Sequence, residues 1–217
     1  MKTTDVLVIG GSAAGMVAAL TGKSSWPGKS FTLVKKQKDM MVPCGIPYIF
    51  GTLSSVSQNI MPVDTMMEKA GIESIVDEAT FISTENKYVD FASGERIKYD
   101  KLVIATGSTP VKPAWLTGGD KENVYVIPKD KVYLEDMKTR LASQKKVVVI
   151  GAGFIGVEFA DELVKSGHDV LLVEKLPDIL MLAFDAELSK KIEEILIQRG
   201  VKVITGNGIK EIHGGSK

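Results

Sequence analysis

Two glycine-rich turns and a lone cysteine are the parts of this sequence whose residue types and spacing could do chemistry. The stronger turn holds Gly151, Gly153 and Gly156 in a G-x-G-x-x-G pattern, with Phe154 and Ile155 between the last two. Glycine permits a tight turn at the first position, approach of a pyrophosphate to the backbone at the second, and close helix-strand packing at the third. Phosphates held there meet the positive end of the following helix. Glu174 ends the next apolar run, where a carboxylate accepts hydrogen bonds from a ribose diol and repels a 2′-phosphate. The pattern implies a dinucleotide site that prefers NADH to NADPH, with Lys175 working against strict discrimination. A ligand-free turn and a solvated strand-end carboxylate are the plainer alternatives.

In the other turn Gly10, Ser12 and Gly15 occupy the same three positions, and Gly11, Ala13 and Ala14 keep the loop compact. Ser12 puts a small side chain where the backbone would approach a phosphate, and Lys35 stands where the ribose-binding acid is expected. Taken alone, this loop reads almost as well as a simple tight turn. Cys44 is the single cysteine. A thiolate is a nucleophile, and a helix N-terminus or a neighbouring positive charge lowers its pKa from about 8.5. With Pro43 before it and an apolar stretch after it, Cys44 equally fits a buried, inert thiol.

The elements that must position these residues repeat one plan. Residues 5–20 and 146–163 each begin with aliphatic residues suited to a buried parallel strand, pass through the glycine turn, and continue with apolar residues at helical spacing. Second apolar runs follow at 31–34 and 170–173, which makes two βαβ starts and two parallel sheets. Between them, residues 75–99 change to short alternating stretches with a Ser-Gly-Glu turn, an antiparallel excursion. Residues 101–105 read as a buried strand, and the Gly-, Ser-, Thr- and Pro-rich stretch 106–113 as a boundary, giving domains at 1–112 and 113–217. Helices are expected over 130–143 and 186–199, the latter stopped by Gly200 before a short strand at 201–204. The sequence then ends sooner than a doubly wound domain does, so a truncated chain is expected.

Composition narrows the partners. The 217 residues carry 27 basic and 27 acidic side chains with no long block of either sign, which disfavours nucleic acid. One cysteine and two histidines, His168 and His213, make a metal site improbable. No apolar run approaches the ~20 residues of a membrane span, and there is no signal-peptide pattern at the start, so a cytoplasmic protein acting on small molecules is expected.

The order GGSAAG, MVPCGIPYIFG, YDKLVIATGSTP, then VVVIGAGFIGVEFADEL and LLVEK resembles the pyridine nucleotide-disulfide oxidoreductases over almost the whole chain. It is most similar to their single-cysteine branch of coenzyme A-disulfide reductases, NADH oxidases and NADH peroxidases. The resemblance implies an α/β fold of two Rossmann-like domains, the first for FAD and the second, incomplete here, for NAD(H). Gly10, Gly11, Ser12, Ala14 and Gly15, with Lys35 at the ribose position, would face the FAD nucleotide, and Ala105, Thr106 and Gly107 would line the flavin site. Cys44, in a Cys-Gly-Ile-Pro-Tyr run with Pro47 and Tyr48, would face the flavin and cycle between thiolate and sulfenic acid or mixed disulfide. Glu158 would sit where nicotinamide meets flavin, though it is equally a polar residue on the first turn of a helix.

The implied reaction passes electrons from NADH through FAD to Cys44 and a disulfide, persulfide or polysulfide. A water-forming NADH oxidase is the near alternative, and a binding module or electron-transfer flavoprotein is the distant one. Ala13 replaces the histidine of the peroxidase branch, Lys35 replaces the FAD-ribose acid, and Met40 to Pro43 replace the polar residues usual before the cysteine. The family's later FAD motif and its dimerisation domain have no counterpart, so a homodimer is expected of a longer protein and no turnover of these residues alone.

Overall fold

Strand and helix alternate along the chain in the computed structural model, which describes residues 1–214. The order is β1 (Lys2–Ile9), α1 (Ala13–Ser25), β2 (Phe31–Lys35), β3 (Met40–Met41), β4 (Ile60–Met61), α2 (Val63–Lys69), β5 (Glu73–Val76), β6 (Ala79–Ser83), β7 (Tyr88–Phe91), β8 (Arg96–Ile104), α3 (Lys131–Ala142), β9 (Lys146–Ile150), α4 (Phe154–Lys165), β10 (Asp169–Val173), α5 (Ala186–Gln198) and β11 (Lys202–Ile204). Two compact units result, and they do not follow a single cut. One comprises Met1–Pro43 and Ile60–Thr109, and the other comprises Cys44–Asn59 with the residues from Pro110 onward. The cysteine segment thus groups with the second unit.

In the first unit a six-stranded sheet has the order β5-β2-β1-β8-β7-β6, parallel from β5 through β8 and antiparallel beyond it. Alternation along β1 divides its side chains between two cores. Leu7 and Ile9 join Val34, Val89 and Tyr99 on one face, while Val8 joins Leu33, Val63 and Met67 on the other. The turn between β7 and β8 falls at the Ser-Gly-Glu stretch, with Gly94 at φ +89°. The sequence pattern divides β8 into a hairpin arm and a separate buried strand, but it is one strand. It pairs with β7 at its start and with β1 along its length, and its end is not buried, Ile104 being 62% exposed.

In the second unit β11-β10-β9 form a parallel sheet. Asp130 and Asp185 cap α3 and α5, accepting hydrogen bonds from the Tyr133 and Leu188 amides at 2.8 and 2.9 Å. Strand β10 is largely buried between its two neighbours, whereas β9 is an edge among the described residues. Val148 and Ile150 point to the same face of β9 and are exposed, where the aliphatic run suggests a buried strand.

Candidate functional site

The second glycine turn is built by β9 and α4. Gly151 donates its N–H to Val173 O at 2.8 Å and adopts φ +93°, a conformation that favours glycine. A β-carbon on Gly156 would run into the carbonyl of Gly151, so this glycine lets α4 close on the strand. Gly153 is different. It caps α4 at φ −74°, open to any residue, and nothing lies within 4 Å of where its β-carbon would stand. Its missing side chain serves no internal packing, and what it leaves open is the approach to the unpaired amides of the helix N-terminus. That space suits a pyrophosphate. Phe154 and Ile155 beside it are exposed, Phe154 meeting Phe184 edge-on at 5.7 Å.

Glu174 follows β10 and braces this turn. Its Oε2 accepts from the Ala152 amide at 2.6 Å and its Oε1 from the Leu176 amide at 2.8 Å. The carboxylate thus fixes the loop and still has lone pairs for a ribose. A cleft of about 570 Å³ opens beside it at the carboxyl ends of β9 and β10, the position where open α/β sheets bind ligands. Lys175 and Lys210 line it with Glu174, Trp115 and Asn207. Trp115, Asn207 and Lys210 carry no motif. The one local sign of them is the Gly-Asn-Gly run after β11, whose Asn207 amide bonds Glu174 O at 3.0 Å.

The first turn repeats the backbone but not the chemistry. Gly10 donates to Val34 O at 2.8 Å, the counterpart of the Gly151 bond, at φ +111°. Here the β-carbon position is taken by the carbonyl of Ala105, because β8 lies beside β1 and the Ala105 amide bonds Ile9 O at 2.7 Å. Ala105, Thr106 and Gly107 are thereby brought against the loop, Thr106 and Gly107 exposed. Gly15 plays the part of Gly156, since its β-carbon would meet Gly10 O. Ser12 caps α1 with no side-chain capping bond, which leaves its hydroxyl available to a phosphate at the helix N-terminus beside exposed Ala14.

Lys35 occupies the register of Glu174 but does not face the loop's open side. Its stem packs under Gly11, where an added β-carbon would crowd Lys35 Cβ and Cδ. Its fully buried ammonium donates to Lys38 O at 2.6 Å and to Asp64 Oδ2 at 2.9 Å. The Ser74 hydroxyl, and after it the Lys35 ammonium, hold the Asp64 carboxyl below the usual carboxylate range against the opposing effect of partial burial. The first turn therefore has an internal ion pair where the second has a carboxylate braced on the loop.

Cys44 lies in a 3₁₀ turn, Pro43–Gly45, and is exposed, so the buried-thiol alternative does not describe it. The segment after it is anchored in the second unit: Ile46, Ile49 and Phe50 are buried, and the Phe50 ring meets Phe159 of α4 at 5.0 Å. Glu158 is half-buried on α4, and among the described residues no hydrogen bond or ion pair joins it to Cys44. Among the described residues no three His, Cys, Asp or Glu side chains gather to hold a metal, and no helix is long and apolar enough to cross a membrane.

This arrangement is that of a known family, whose profile, pyridine nucleotide-disulphide oxidoreductase, matches residues 4–217. The chain belongs to that family. It is 31% identical over 224 residues to an NADH oxidase of Methanocaldococcus jannaschii, covering 97% of this chain and 49% of that protein. It is also 31% identical over 200 residues to an NAD(P)H coenzyme A polysulfide/persulfide reductase of Pyrococcus horikoshii, covering 88% and 44%. Among solved structures, the ferredoxin reductase for the CYP199A2 system from Rhodopseudomonas palustris matches with a TM-score of 0.88 at 25% identity, covering 99% of this chain and 53% of that one. The chain spans about half the length of the curated relatives it matches. Family membership brings FAD and a nicotinamide nucleotide as cofactors, and the two glycine turns fit two dinucleotides.

Proposed function

We propose that this chain supplies the two nucleotide sites and the redox thiol of a cytoplasmic NADH-dependent flavoprotein that reduces a small disulfide, persulfide or polysulfide. The observation that carries the reading is an exposed Cys44 on a segment packed against α4, the helix whose N-terminus the second glycine turn leaves open. When bound, FAD would take up a hydride from NADH and give its two electrons on to sulfur, chemistry no side chain provides.

The residues divide the remaining work. Gly151, Gly153 and Gly156 admit the pyrophosphate of NADH, and Glu174 holds the loop and accepts from the ribose. Lys175 and Lys210 in the same cleft soften the preference against NADPH. Gly10, Gly11, Ser12, Ala14 and Gly15 receive the FAD pyrophosphate, with Ala105, Thr106 and Gly107 beside them. Lys35 acts on that site through the shape of Gly11 rather than by touching the ribose. Cys44 as thiolate attacks the sulfur of the acceptor, releases a thiol or hydrosulfide, and retains the other half as a mixed disulfide. Glu158 faces the nicotinamide end.

Two relatives supply specific second readings. The Methanocaldococcus NADH oxidase favours oxygen as acceptor, with Cys44 passing through a sulfenic acid. The ferredoxin reductase favours a protein acceptor and no role for the thiol. Stopped-flow reoxidation of the reduced full-length enzyme by polysulfide separates them. Cys44→Ser should abolish reoxidation by sulfur acceptors, and normal reoxidation in that variant would overturn the reading.

A further inference from the structure

We propose that Glu162 and Thr52 form a latch that holds the cysteine-bearing segment on α4, making Glu162 a positioning residue for Cys44. The role assigned to Cys44 is that of the preceding reading, but the latch is measurable without it. Glu162 is charged, and its side chain is only 3% exposed, on the α4 helix that the turn Pro47–Phe50, Gly51 and Thr52 lie against. A carboxylate leaves water only where specific partners compensate it. One is local: Lys165, a turn along α4, donates to Oε1 at 2.5 Å. This partner is itself 45% exposed and also pairs with Asp161 at 3.2 Å, so it does not require a buried position. The other partner explains the burial. Thr52 Oγ1 donates to Oε2 at 2.7 Å from 110 residues away in sequence.

The surroundings are shaped around that bond. A β-carbon on Gly51 would collide with both the backbone carbonyl and the carboxylate of Glu162, so glycine lets the segment's backbone lie directly on the helix. The amides of Thr52 and Leu53 bond Tyr48 O at 3.0 and 2.7 Å, tying the latch to the turn Pro47–Phe50 that begins three residues after Cys44. From the other side Lys138 of α3 donates to the carbonyls of Leu53 and Ser54 at 2.8 and 3.2 Å, and desolvation lowers the pKa of its ammonium. The same helix thus presents its N-terminus to the nucleotide and, two turns on, grips the segment that carries the thiol.

The test compares Thr52→Val, Thr52→Ser and Glu162→Gln in the full-length protein by hydrogen exchange of residues 47–54 and by the rate of Cys44 alkylation with iodoacetamide. A latch predicts about tenfold faster exchange in Thr52→Val, as expected when a hydrogen bond to a charged group is lost, with a changed alkylation rate and rescue of both by serine. Combining Thr52→Val with Glu162→Gln should add little to either alone. Unchanged exchange and alkylation in folded Thr52→Val, or failure of serine to rescue, overturns the proposal. Should Glu162→Gln not fold, the valine and serine pair decides. If Cys44→Ser retains full turnover while these signatures hold, the redox assignment fails and the latch stands.

Discussion

The two glycine turns share a backbone and differ in what closes them. Gly10 bonds Val34 and Gly151 bonds Val173 at the same distance, and each turn feeds a helix whose third glycine clears the first. Yet after the second strand one turn has Glu174, with one carboxylate oxygen on the turn's Ala152 amide and the other on the nearby Leu176 amide, and the other has Lys35, drawn under Gly11 toward Asp64. The difference teaches that the fold asks only for something to brace the turn. A carboxylate does so from the ligand side and leaves acceptors for a ribose. The Lys35 stem does so from beneath, its ammonium paired with the half-exposed Asp64, and leaves no acceptor at that residue.

The largest effect should separate glycines needed for packing from those needed for a ligand. Gly156→Ala or Gly15→Ala drives a β-carbon into a backbone carbonyl and should cost about 3 kcal/mol in denaturant unfolding. Gly153→Ala meets open space and should leave stability within about 1 kcal/mol, while weakening NADH binding about tenfold by fluorescence titration. Next is the ion pair. Asp64→Ala leaves a buried ammonium short of an acceptor and should cost about 1–3 kcal/mol, read as a lower urea midpoint with unchanged slope.

Glu174→Gln should have a smaller effect, because the amide can brace only one of the two loop N–H groups. NADH affinity should fall and the NADH-to-NADPH ratio narrow about fivefold, roughly 1 kcal/mol, leaving the first turn untouched. The smallest effect is on acid stability. Asp64 has a lowered folded pKa, so its contribution is complete above the unfolded value of about 4 and is lost as pH falls through the folded one. Circular dichroism between pH 5 and 2 should find a steeper loss in the native protein than in Asp64→Ala, with pH limits spanning the range given by the linkage relation.

Local pattern made much of this readable. Both strand-turn-helix units, the hairpin turn at Gly94 and the helices α3 and α5 follow from runs of neighbouring residues, and so do the glycine positions and Glu174. What escaped depends on residues distant in sequence. Lys35 reads as a charge at a ribose site until Asp64 arrives on α2, and Glu162 reads as a helix-surface acid until Thr52 covers it. Likewise, no composition change marks 44–59 as belonging with the residues after 110, because that grouping rests on contacts such as Phe50 and Gly51 packing on α4. Exposure of β9 is unreadable for the same reason, since strand burial is set by neighbours and not by the strand.

The most direct test of the account is an absorbance spectrum of the purified protein, followed by anaerobic NADH titration and then addition of coenzyme A disulfide, polysulfide or air. The expected result is a flavin band that NADH bleaches and a sulfur acceptor restores through Cys44. A protein that neither carries nor takes up flavin, or whose reduced flavin ignores every sulfur acceptor, would contradict it.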